Sequence, residues 1–156
     1  MLAITLAGCS DSKPAATQGV GGVFATKALS VCESAQKSKD GWSAFPVSNF
    51  DPSEPHAQDL PEVAVWLEQE VAPTFDAWRD GLTALGTPPT GREAWAKVLT
   101  AVTHIANLNA SQVDAAKEED TDAFAKATEA LGEAQPELER AAAEAGVPKC
   151  AEVHAG

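Results

Sequence analysis

The sequence predicts an all-α fold, an up-and-down four-helix bundle with kinked helices and a Pro-rich loop between helices 1 and 2. Three observations predict it. Apolar residues recur at spacings of three and four in four separate segments. No stretch alternates with period two and no β-branched run occurs, so nothing reads as a strand. Short connections at 86–90 and 118–121 make the last three helices antiparallel neighbours. The 156 residues are the length of one domain, and a chain of that size buries about two-thirds of its unfolded surface, enough for a core without metal.

The first helix is expected from about Phe24 to Ser38, with Phe24, Ala28, Val31, Cys32 and Ala35 on one face, ending at Asp40-Gly41. Residues 42–58 hold Pro46, Pro52 and Pro55 and read as a loop. Trp42, Phe45 and Phe50 are expected to pin that loop to the bundle, because large aromatic rings are costly to leave in water. The second helix starts at a capping box, Asp59-Leu60-Pro61-Glu62. Its stripe is Leu60, Val63, Leu67, Val71, Phe75, Trp78, Leu82 and Leu85, with a kink expected near Gln69, whose carbonyl loses its partner at Pro73.

Thr90-Gly91-Arg92-Glu93 reads as a capping box for the third helix, whose inward face is Trp95, Val98, Leu99, Val102, Ile105, Ala106 and Val113, widened by Ala101 and Leu108. The acidic turn Glu118-Glu119-Asp120 suits a helix start better than a helix end. The fourth helix runs from about Thr121 to Ala145 on Phe124, Ala127, Leu131, Ala134, Leu138, Ala141 and Ala145. So much alanine implies close helix–helix approach; Pro136 should kink this helix and Gly146-Val147-Pro148 should stop it.

A net charge of -12 argues against nucleic acid and against electrostatic docking on anionic lipid. The start of the chain points to a different link with membranes. An apolar run meets small residues just before a cysteine, and Leu6-Ala7-Gly8-Cys9 resembles the lipobox of bacterial lipoproteins. The resemblance implies cleavage after Gly8, acyl chains on Cys9, and an extracytoplasmic protein held to the cell membrane through that covalent anchor. No Lys or Arg precedes the run, so the start codon is expected upstream of Met1. Residues 1–8 are then the signal peptide, 9–22 the lipidated cysteine and a flexible tether, 23–150 the bundle and 151–156 a tail. Acyl chains at about 0.8 kcal/mol per buried methylene hold such a protein on a bilayer.

Export permits disulfides, and Cys32 and Cys150 are the two remaining thiols. A Cys32–Cys150 bridge is expected; the alternative is two buried free thiols. From Phe24 to Cys150 the order of parts is similar to small secreted or lipid-anchored helical proteins of actinobacteria. The closing pattern here is Ala141-Ala142-Ala143-Glu144-Ala145-Gly146-Val147-Pro148-Lys149-Cys150. That resemblance implies architecture and location, not activity.

The catalytic inventory is empty of the usual motifs. No Glu-x-x-His pair, Cys-x-x-Cys-His, His-Glu-x-x-His or Gly-x-Ser-x-Gly occurs, so no enzyme and no cofactor is expected. His104 reads as a half-buried, hydrogen-bonded helix residue, with a metal ligand or base as the sharper alternative. His56, among Asp51, Glu54 and Asp59, reads as a solvated acidic loop rather than a weak cation site. His154 falls in the expected frayed tail, and Trp66 lies about one residue off its stripe, partly exposed; it reads as packed under the Trp42 loop, with a binding hot spot shared with Trp42, Phe45 and Phe50 as the sharper alternative. The expected function is a non-catalytic binding or interaction module for an unknown protein or small ligand, with an apolar patch or groove bounded by the 42–58 loop. The alternative is an extracytoplasmic small-ligand or divalent-metal-binding protein using His56 and His104.

Overall fold

The computed structural model describes residues 19–154, and every regular element among them is helical. Five α-helices pack together: α1 (Gly22–Asp40), α2 (Leu60–Trp66), α3 (Ala72–Ala84), α4 (Arg92–Lys117) and α5 (Thr121–Ala145). Leu6-Ala7-Gly8-Cys9 lies outside the described residues.

The expected second helix is two α-helices joined without a break by a π-helical segment, Leu67–Val71. Two causes coincide there. Pro73 has no N–H for the Gln69 carbonyl, and its ring would clash with that carbonyl in a regular helix. In addition, Val63, Leu67, Val71 and Phe75 are successive steps of four, and in an α-helix each such step overshoots a full turn by ~40°. The wider turn absorbs the excess: the Ala72 N–H bonds to the Leu67 carbonyl, five residues back. All four side chains stay buried as a result.

The helix starts correct two of the expected caps. Asp59 has helical backbone angles, follows a single 3-10 turn (Ala57–Asp59), and makes no side-chain cap. Gly91, in the left-handed region at φ 65°, precedes α4. Thr90 Oγ1 donates instead to the Gly19 carbonyl at 3.0 Å, so the residue spends its hydroxyl on a tertiary contact. The acidic turn does start α5 as expected: the Asp120 carboxylate accepts from the Ala123 N–H at 2.9 Å.

The end of α5 organises both chain ends. Gly146 (φ 78°) completes a Schellman turn, with Val147 N–H on the Ala142 carbonyl at 2.9 Å and Gly146 N–H on Ala143 at 3.1 Å. The free Ala145 carbonyl accepts from Val20 N–H at 3.1 Å, and Val20 is fully buried. After the turn, a 3-10 segment (Pro148–Val153) packs back on α1 and α5 with Cys150, Ala151 and Val153 buried. Packed structure therefore extends past both ends of the expected 23–150 bundle. Cys32 and Cys150 meet at disulfide distance, with Cα atoms 5.1 Å apart.

The core is continuous across all five helices. α4 and α5 pack along their lengths, and the alanines of α5 (127, 134, 141, 142 and 145) are buried. Gly81 in α3 serves a similar purpose toward α1, since a Cβ there would sit 2.8 Å from Val31 Cγ1. Among the described residues no helix is long and apolar enough to cross a membrane.

Candidate functional site

The four aromatic residues singled out in the sequence converge at one end of the molecule. Residues 41–56 carry no helix, and they fold back over α2 and the π segment on their aromatic rings. Trp42 lies edge-on to Trp66 with ring centroids 5.4 Å apart, and tilts toward Phe75 at 6.4 Å. Phe45 meets Trp66 at 5.0 Å and Phe50 at 5.2 Å, and Phe50 meets Phe124 of α5 at 5.7 Å. These are ordinary attractive aromatic separations.

Both indole N–H groups are satisfied, which fixes the rings. Trp66 Nε1 donates to the Ser43 carbonyl at 3.1 Å, and Trp42 Nε1 donates to Thr74 Oγ1 at 3.0 Å. Thr74 in turn donates to the Glu70 carbonyl at 2.8 Å, inside the widened turn. Lys117 of α4 pairs with Glu68 of the same segment. The π segment is thus held from the loop and from α4.

Phe45 remains 41% exposed, and beside it opens a cleft of about 410 Å³ lined by Phe45, Phe50, Pro52, Trp66, Phe124 and Gln112, with Thr128 also on its wall. A smaller recess of about 180 Å³ shares Trp66, Leu67 and Gln112 with it and continues to Asn109, Lys39 and His154. A cleft does lie beside the 42–58 loop, with Gln112 of α4 and Thr128 of α5 supplying wall residues that had no sequence signal. Asn109 and Gln112 lie on the inward face of α4, where polar residue types carry no apolar-stripe signal. Their burial, to 5% and 8% exposure, is what marks them.

His154 is the other correction. It lies half-buried beyond the 3-10 segment, with its ring 6.0 Å from Phe75 and Nε2 2.9 Å from the Leu131 carbonyl. A carbonyl only accepts, so Nε2 carries the proton. Burial holds the imidazole below its ordinary value; the Leu131 bond opposes this and the Lys39 charge adds to it. Burial likewise lowers the Lys39 ammonium, against the raising effect of Asp40.

The two histidines considered as ligands do not come together. His56 and His104 are both exposed, so the expected half-burial of His104 is wrong: its position on α4 faces away from the core. Among the described residues no group of three or more His, Cys, Asp or Glu side chains is placed to hold a metal ion. Asp51 has a local task, accepting from Ser53 N–H at 2.9 Å and Ser53 Oγ at 2.6 Å, and these bonds hold its carboxyl below the usual range. No protein-family model matches the chain, and neither a curated protein nor a solved structure does.

Proposed function

We propose that the protein is an extracytoplasmic lipoprotein, anchored through acyl chains on Cys9, that acts as a non-catalytic binding module. Its binding site is the aromatic cleft beside the 42–58 loop. The fold is read as an up-and-down four-helix bundle in which α2, the π segment and α3 count as one bent rod. The continuous hydrogen bonding through Leu67–Val71 and the short links on either side of α4 favour that reading.

One observation supports the functional proposal: the cleft and the first described residues, Gly19 and Val20, are at opposite ends of the bundle. The N-terminal segment is tied to the Ala145 carbonyl and to Thr90, at the start of α4. The cleft sits on Gln112 and Phe124, near the end of α4 and the start of α5. Along α4 the two levels are about 30 Å apart at ~1.5 Å per residue. A protein tethered at Cys9 would present this site away from the bilayer.

The test is made in bacteria expressing the full gene. An alkyne fatty acid should label the protein, and Cys9→Ala should abolish the label and release the protein from the membrane; an unlabelled wild type overturns the anchor. A photo-crosslinking residue replacing Phe45 should give a defined adduct on intact cells that the same group at Lys27, outside the cleft, does not. Identical patterns from both positions overturn the cleft as the binding site.

A further inference from the structure

Resting on the reading of the cleft as a binding site, we infer that its ligand is an uncharged, planar aromatic molecule carrying hydrogen-bond donors, received by the side-chain oxygens of Gln112 and Asn109. Both amides are more than nine-tenths buried, at 8% and 5% exposure. Their orientations follow from their partners. Gln112 Nε2 lies 2.9 Å from Thr128 Oγ1, and that hydroxyl spends its proton on the Phe124 carbonyl at 3.1 Å. Thr128 can therefore only accept from Gln112, so the amino end of Gln112 faces Thr128. Asn109 Nδ2 lies 3.0 Å from the Ile105 carbonyl, also an obligate acceptor.

The free ends of the two amides are consequently both oxygens. Among the described residues neither accepts a hydrogen bond. Nor are they sealed in the protein: among the described residues the fully buried side-chain atoms without partners are Gln36 Oε1 and Gln135 Oε1. Gln112 lines the cleft and the recess, and Asn109 lines the recess. Three residues apart on α4, the two amides share one face.

This arrangement selects by class. An occupant with no donor would strip water from two carbonyl oxygens and return nothing, the expensive way to bury an acceptor. A charged occupant in the larger cleft would be desolvated without a counter-ion, because its lining holds no ionisable side chain; Lys39 and His154 line only the smaller recess, beside Asn109. The rings of Trp66, Phe45, Phe50 and Phe124 suit a flat aromatic body, and the cleft's size lies within the usual range for small-molecule sites.

The test uses a naphthalenediol with one hydroxyl on each ring and its dimethyl ether, which has the same body and no donors. Calorimetry and ligand-observed NMR on the purified protein should show the diol binding at one site and at least about tenfold more tightly than the ether, the usual order for one hydrogen bond to a buried group. The Gln112 side-chain amide resonances should shift with the diol. Gln112→Met should reduce the preference to near unity, while Trp66→Ala should weaken both probes alike. Equal affinities for diol and ether overturn the donor requirement and leave the cleft as a binding site. Binding of neither probe overturns the ligand class, and with no Phe45-specific adduct on cells the binding site falls as well. The diol–ether comparison on the wild type decides the matter even if a variant does not fold.

Discussion

At the scale of single residues, what a polar side chain does is set by which neighbour reaches it first. Thr90 and Asp59 have cap chemistry in their local sequence, yet neither caps its helix. Thr90 is taken by Gly19, seventy-one positions away in sequence. Asp120 has no such competitor and caps α5. Asp120→Ala should therefore destabilise the protein by about 1 kcal/mol, and Asp59→Ala by a few tenths at most, as read from urea unfolding. His154 supplies a second prediction. Its proton affinity is lowered in the folded state by burial, so the unfolded chain binds the proton more tightly. The contribution is fully present above the ordinary value of 6.5 and is lost as pH falls below it. The stability difference between wild type and His154→Gln should shrink as pH is lowered from 7.5 toward 5, measured by denaturant midpoints. A difference that stays constant over that interval would sink the assignment.

At the scale of elements, the helices were largely legible. The apolar stripes placed α1, α4 and α5 within a few residues of where they lie, since a 3.6-residue period over five or more turns has few alternative readings. The π segment was also present in the pattern, as the run of fours from Val63 to Phe75, together with Pro73. A kink was the expectation; a widened turn is what keeps all four side chains in the core. Gly81 was invisible for the opposite reason. An isolated glycine in a helix costs about 1 kcal/mol relative to alanine, and only the approach of Val31 from α1 explains it.

At the scale of the whole molecule, the Cys32–Cys150 contact joins α1 to the segment after α5 across 118 positions. Closing a loop of that length removes about 4–5 kcal/mol of unfolded-chain entropy, and native bridges commonly contribute about 2–5 kcal/mol. Cys32→Ala with Cys150→Ala should lower the unfolding free energy within that range, and a thiol count on the unfolded, unreduced protein should find neither cysteine free. The bridge also holds the 3-10 segment that brings His154 against Phe75 of α3 and beside the recess. Losing it should therefore loosen that wall before the α4–α5 pair, which hydrogen exchange would resolve.

The sequence by itself determined the helical periods, the turn and stop signals, and the list of aromatic residues without a place on a stripe. All of these depend on neighbours within a few positions. Only the tertiary structure decided that Phe45, Phe50 and Trp66 share one cleft, with Trp42 in the adjoining recess, and that Asn109 and Gln112 are buried beside them. It also decided that His154 is packed rather than frayed. Those outcomes depend on contacts between residues tens of positions apart, and a local pattern carries no information about which distant surface will cover it.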